Sequence, residues 1–121
     1  MYMSKQLSGF RSLIVWKEAK ALALKIYQST KKFPQYEQFH LTLQLRRAAT
    51  SAMTNLAEGS AMTTRAHRNS YYTRAKGSVV EVDNFTELVH DLRYISTEEY
   101  DDIVSHCARL AYLIEQLKKS K

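Results

Sequence analysis

Only four positions in this chain break a helix readily: Gly9, Pro34, Gly59 and Gly77. No other constraint on its fold is as strong. Turns, hairpins and bulges draw on glycine and proline, and 121 residues with three glycines and one proline leave little room for them. No segment alternates apolar and polar residues for long, as a half-buried strand would. The length suffices for one hydrophobic core and is too short for two. The expectation is a single all-α domain spanning residues 1–121.

Helical periodicity places four helices, at about 13–32, 37–58, 64–94 and 97–119. In the first, Leu13, Trp16, Ala19, Ala23, Ile26 and Tyr27 share one side at about 100° per residue. Val15, Leu22 and Leu24 widen that side beyond one seam. Pro34 disfavours helical geometry at Phe33 and lacks an N–H, so "KKFPQYE" ends the helix. Leu41, Leu45, Ala48, Ala49, Ala52 and Leu56 stripe the second, and Gly59 is placed as its left-handed cap. Tyr71, Ala75, Ser78, Val82 and Val89 line the third. The fourth repeats Tyr100, Ile103, Cys107, Leu110, Ile114 and Leu117. Ser96 and Glu99 fit a capping box at its start, and Lys118 and Lys119 suit its negative end. Four amphipathic helices with short links form an antiparallel up-down-up-down bundle.

The lone Cys107 excludes an internal disulfide and a cysteine-based zinc site. No stretch approaches the roughly 18 apolar residues of a membrane span, and "MYMSKQLSGFRS" has no apolar run of signal-peptide length. The expected setting is the cytoplasm, with no membrane partner. The net charge is +6, and residues 1–60 hold nine basic groups against three acidic ones. A basic excess of this size favours polyanionic partners moderately; it also describes an ordinary solvated lysine surface.

Candidate residues fall into two sets. In "QLRRAATSAMTNLAEGS", small residues let another helix approach closely, and Gly77-Ser78 does the same from the third helix. Arg46, Arg47, Asn55 and Glu58 flank that alanine seam, with Glu81 at the facing rim. These read as structural or intersubunit polar groups, an arginine pairing with a glutamate to fix register. The second set is basic: Lys17, Lys20, Lys25 and Lys32 along the outside of helix one, and Arg65, Arg68, Tyr72 and Lys76 on an outward arc of helix three. Such a strip can hold phosphates and stack an unpaired base on tyrosine.

Catalytic readings find little support. Glu87-x-x-His90 is one half of a di-iron motif, which requires a second copy and two further inward glutamates. A solvated surface pair is the expectation, with His106 directed away from the core. Cys107 lies in an apolar seam, which suits an inert thiol. No metal or other cofactor is expected, nor enzymatic activity.

"FRSLIVWKEA", "FPQYEQFHLTLQLRRAATSAMTNLAEGS", "AKGSVVEV" and "LRYI" together resemble the four-helix-bundle family of 23S ribosomal RNA intervening-sequence proteins, over about residues 10–95. The pattern is F-x-x-L-x-V-W-x-x-A, F-P-x-x-E, Q-[LI]-R-R-A-x-x-S, N-[IL]-A-E-G and G-S-x-x-E. More distantly, the chain is similar to the accessory variability determinant proteins of diversity-generating retroelements. The resemblance implies a homo-oligomeric bundle, a pentameric ring, contact with RNA or DNA, and no known enzymatic activity. A protein-interaction scaffold that recruits a partner protein is the alternative. The chain departs from the pattern in three places: Arg74 replaces an apolar residue, Phe85-Thr86-Glu87 reverses a polar-apolar order, and Arg93 replaces a customary glycine.

Overall fold

A computed structural model describes residues 9–120; the reading of the N-terminal "MYMSKQLS" lies outside them. A 3-10 turn at Gly9–Ser12 leads into α1 (Ile14–Thr30), and a second at Gln35–Glu37 precedes α2 (Leu41–Ser60). Helices α3 (Arg65–Asp91) and α4 (Thr97–Lys119) follow, with no strand among the described residues. Each helix packs on its neighbour in sequence, and α1 closes the ring against α4. Cross-helix pairs give the directions. Lys32–Glu99 and Arg109–Glu18 mark opposite ends of the α1–α4 seam. Lys76–Glu115 and Tyr100–Glu87 do so for α3–α4. Ser78–Ser51 and the approach of Tyr72 to Gly59 do so for α2–α3. All three seams are antiparallel.

The core is filled by residues of all four helices, among them Leu22, Ile26, Leu45, Leu56, Val82, Val89, Ile103 and Leu110, each with at most 2% exposure. Burying such a side chain contributes about 1.5–3 kcal/mol. The wide apolar side of α1 is only partly absorbed: Leu24 and Tyr27 stay 60% and 40% exposed, beside Ile14 at 71%.

Helix ends show where local chemistry prevails over periodicity. Helix α1 stops at Thr30, whose hydroxyl donates back to the Ile26 carbonyl at 2.8 Å and accepts from Arg46 Nε at 2.8 Å. Residues 35–37 form the 3-10 turn, so α2 begins at Leu41 rather than Glu37. Glu37 of that turn accepts from the Tyr94 hydroxyl at 2.8 Å through Oε2, tying the two loops at this end of the bundle. The expected capping box is present: Ser96 Oγ accepts from Glu99 N at 3.1 Å and Glu99 Oε1 from Ser96 N at 3.0 Å.

Two glycine readings are corrected. Gly59 is not a left-handed cap; no glycine among the described residues has positive φ, and α2 runs through it to Ser60. Its hydrogen instead admits Tyr72, since a Cβ there would lie 2.7 Å from Tyr72 Cε1. Gly77 does not serve the α2–α3 approach: a Cβ there would meet nothing within 4 Å. Buried Ser78 makes that contact, its Oγ donating to Ser51 Oγ at 2.9 Å, and Ala49, Ala52 and Ala75 are fully buried nearby in the core.

The left-handed position falls at Arg93, with φ 64°. Arg93 N donates to His90 O and Tyr94 N to Val89 O, both at 2.9 Å, the two bonds of a Schellman motif ending α3. An arginine therefore occupies the conformation where the resembled pattern has glycine. Arg93→Gly should raise stability by about 1 kcal/mol, or roughly 4 °C in melting temperature. Thermal denaturation checks this; an unchanged or lower Tm would mean that the arginine side chain contributes as much as its backbone costs.

Candidate nucleic-acid interface

The eight basic-set residues do not form one strip. Lys25 and Lys32 reach across to acidic groups of α4, although Lys32 keeps half its side chain exposed. Lys25 Nζ lies 2.9 Å from Asp102 Oδ2 and 2.9 Å from His106 Nδ1, and Lys32 pairs with Glu99. Lys76 pairs with Glu115 at 3.2 Å. Such neutralised lysines offer little to a phosphate. Arg65 and Arg68 are partly committed too. Arg65 Nη2 donates to the Lys118 and Lys119 carbonyls at 3.2 and 3.3 Å. Arg68 Nη1 donates to those of Met62 and Thr63 at 3.3 and 3.0 Å. Arg65 thus satisfies carbonyls at the end of α4 and Arg68 those of the α2–α3 link, which would otherwise be left to water.

Tyr72 as a base-stacking platform is overturned. Its side chain is 4% exposed and its ring lies on the α2 backbone at Gly59. Burial pushes its hydroxyl pKa up, with Arg68 pulling the other way. The half-buried neighbour, Tyr71, has the Arg74 guanidinium 4.7 Å over its ring.

Lys17 and Lys20 do come together, beside Trp16 and Leu24, which the periodicity assigned to the apolar side. They line an open groove on the outside of α1 with Arg11, Trp16, Ala21 and Leu24. Neither lysine has a carboxylate within salt-bridge distance among the described residues. Phe10 meets Trp16 edge-on at 5.0 Å, and the Arg11 guanidinium stacks over Phe10 at 4.4 Å. Lys20 Nζ sits 5.6 Å from the Trp16 ring centroid. The signal was available: Lys17, Lys20 and Leu24 are three and four apart, hence on one face. The half-exposed Trp16 packs on the core and also forms the groove wall.

The polar set also divides. Arg46 is structural, bonded to Thr30 and stacked 4.5 Å over Tyr27. Asn55 is structural as well, its amide donating to Ser51 O and Oγ at 3.0 and 3.1 Å. The expected arginine–glutamate pair across α2–α3 does not form. Arg47, Glu58 and Glu81 are exposed, and no ion pair among the described residues includes them. The seam is closed by alanine and serine, which leaves charged side chains on its outer rims.

The groups weighed for catalysis are occupied. Glu87 accepts from the Tyr100 hydroxyl, and His90 stacks on the Tyr100 ring at 4.2 Å. Burial pushes the Cys107 thiol up to about 12. His106 was expected to point away, yet it is 3% exposed in the α1–α4 seam. Its position three residues after Ile103 and four before Leu110 already marked the inward face. No group of three His, Cys, Asp or Glu among the described residues could hold a metal ion, and no helix is long and apolar enough to cross a membrane.

A family model described as "23S rRNA-intervening sequence protein" matches residues 11–116. Among solved structures, the chain is similar to a protein of unknown function from the S23 ribosomal protein family of Bacteroides thetaiotaomicron. That match has a TM-score of 0.81 and 22% identity, and covers 88% of this chain and 100% of the other. At this identity the likeness is one of fold. No curated protein matches the chain.

Proposed function

The chain belongs to the 23S rRNA-intervening sequence protein family, and from that premise we propose that it is a non-enzymatic, cytoplasmic, homo-oligomeric accessory protein that binds RNA or DNA through charge. The observation that carries this reading is the α1 groove, where Arg11, Lys17 and Lys20 surround Trp16 and Leu24 with no carboxylate in the lining. Unneutralised cations beside an aromatic ring suit a single strand, whose phosphates meet charge while a base meets a ring. None of them is arranged to read base edges, so sequence preference should be weak. The exposed Ile14 and Tyr27 on the same helix support association of copies, with a pentameric ring as the proposed form. A ring would repeat the groove and multiply its field. The exposed Arg47, Glu58 and Glu81 suit pairing between subunits, the role that remains for them once the intrachain pair is excluded. The exposed Val80 and Tyr112, 57% and 62% accessible on α3 and α4, favour the second reading, a scaffold for a partner protein.

The test has two steps. Light scattering should give a multiple of 14.0 kDa. Fluorescence anisotropy of labelled single-stranded RNA and DNA, at about 50 and 200 mM salt, should then show binding that weakens steeply with salt. Replacing Arg11, Lys17 and Lys20 together by glutamine should reduce affinity and flatten the salt slope by about 0.7 for each phosphate no longer neutralised. Absence of binding at the lower salt by an assembled protein would leave the scaffold reading.

A further inference from the structure

We propose that the end of the bundle where α2 leads into α3 carries a second, separate site: a pocket for one phosphate group, held by Arg65, Arg68 and the Tyr72 hydroxyl. The pocket encloses about 200 Å³ and is also lined by Ser60, Asn69 and Ser120, with no carboxylate among the described residues of its walls. It differs in kind from the α1 groove, which is more open and mostly apolar.

The decisive feature is Tyr72. Its side chain is 96% buried, yet its hydroxyl has no hydrogen-bond partner among the described residues. The hydroxyl is therefore a donor that no other described residue uses. Nor is the hydroxyl sealed off: Asp83 Oδ1 is the side-chain polar atom that is both fully inaccessible and unpartnered among the described residues. The phenol therefore keeps a narrow opening, and the space that Tyr72 lines is this pocket. Gly59 fixes the geometry, because only a residue without a Cβ lets the ring lie on the α2 backbone and project its polar end beyond.

The arginines supply the charge. Arg65 uses Nη2 on the α4 carbonyls and Arg68 uses Nη1 on the α2–α3 link, so each head is held in place by one nitrogen. A guanidinium has five donors in a fixed fork, and those not used on carbonyls remain for an oxyanion. Two anchored guanidiniums and a phenol O–H are all donors. That set fits a phosphate monoester or free phosphate. The pocket does not rest on the nucleic-acid reading, since free phosphate tests it alone.

The probe is inorganic phosphate, added at constant ionic strength against sodium chloride. The expected result is a phosphate-dependent rise in Tm and a saturable isothermal titration. Tyr72→Phe keeps the ring on Gly59 and removes only the hydroxyl. It should weaken phosphate roughly tenfold or more, the loss of one bond to a charged group, while leaving Tm without phosphate unchanged. Arg65→Gln should weaken phosphate similarly, which keeps the test valid if the Tyr72 variant folds poorly. Single strands with and without a 5′-phosphate identify the source. If inorganic phosphate displaces only the 5′-phosphorylated strand, the pocket takes a strand terminus; if phosphate binds and the terminus is irrelevant, it takes the free ion. A chain that binds phosphate but no strand keeps the pocket and loses the nucleic-acid reading. Phosphate with no effect beyond chloride, or phosphate bound equally well by Tyr72→Phe, would overturn the site.

Discussion

Gly59→Ala is expected to destabilise the bundle by about 1–3 kcal/mol, the range for overpacking a filled interior. For a domain of this size that is roughly 4–12 °C in Tm. Helix propensity alone argues for the opposite sign, since alanine in a helix interior gains about 1 kcal/mol over glycine. Packing decides the outcome. The added methyl would lie 2.7 Å from Tyr72 Cε1, 3.0 Å from Tyr72 Cδ1 and 2.9 Å from Tyr71 Cβ. A tyrosine ring can turn away, but Tyr71 Cβ is fixed to the α3 backbone, so the two helices must separate. They form the most extensive seam of the bundle. Gly77→Ala is the paired control. Its methyl would meet nothing within 4 Å, so the propensity gain should appear undiminished and raise Tm. Thermal melts of both variants test the account directly. A Gly59→Ala protein as stable as its parent would show that α2 and α3 do not approach as closely as described. A Gly77→Ala protein that loses stability only when assembled would place another subunit against that face.

The difference between these glycines explains what was legible in the sequence. A 3.6-residue period reports which side of a helix is apolar, and that was enough for the four helices, their order and most of the core. It says nothing about distance. Both Gly59 and Gly77 sat beside small residues on helices expected to pack together, and whether each faced a neighbour, a turn or solvent depended on register between helices. Register is set by the summed packing of the whole seam, and no local motif encodes it. The capping box at Ser96 and Glu99 was legible because its partners are three residues apart. The termination at Arg93 was visible only as a departure from a resembled pattern, and the backbone supplied its meaning.

The basic residues failed as a strip for a related reason. Counting positions placed Lys17, Lys25 and Lys32 on one face, but their acidic partners belong to another helix. Asp102 and Glu99 lie about 70 residues or more away in sequence and neutralise two of the three. Net charge is additive and can be read from composition. The free charge left after ion pairing is not, and it selects the Arg11, Lys17 and Lys20 cluster instead. Tyr72 was misplaced for the converse reason. A helix of 27 residues offers two tyrosines side by side, and the choice of the inward one turned on the hydrogen at Gly59.

The α1–α4 seam should weaken in mild acid, and His106 should be the cause. Its Nε2 lies 2.9 Å from the Glu18 carbonyl oxygen and its Nδ1 2.9 Å from Lys25 Nζ. The neutral ring satisfies both contacts, Nε2–H donating to Glu18 O and Nδ1 accepting from the ammonium. A second proton would turn Nδ1 into a donor facing another donor. Burial, then the Lys25 charge, accordingly hold the His106 pKa below its ordinary 6.5; Arg109 adds to this, and Glu18 opposes it. Asp102, paired with Lys25 across the seam, completes the set of charges. Because the folded pKa is the lower one, the unfolded chain binds more protons as pH falls through 6.5. Stability is fully present above that value and is lost from there down to the folded pKa, by up to about 1.4 kcal/mol per pH unit. Glu99 and Glu115 lose stabilisation only in a lower window. Bonds from Lys32, Ser96 and Ser29 outweigh burial at Glu99, and a bond from Lys76 leads at Glu115; both groups titrate below their ordinary 4.5. Urea denaturation between pH 4.5 and 8 should therefore show a loss that His106→Ala removes. At pH 8 that variant should itself be weaker by about 1–3 kcal/mol, having orphaned the polar partners of the ring. The seam is the least extensive of the four, so the loss falls where the bundle has least to spare. A parent protein with level stability from pH 8 to 4.5, or a His106→Ala variant with the same acid slope as the parent, would remove His106 from the account and leave the carboxylates as the titrating groups.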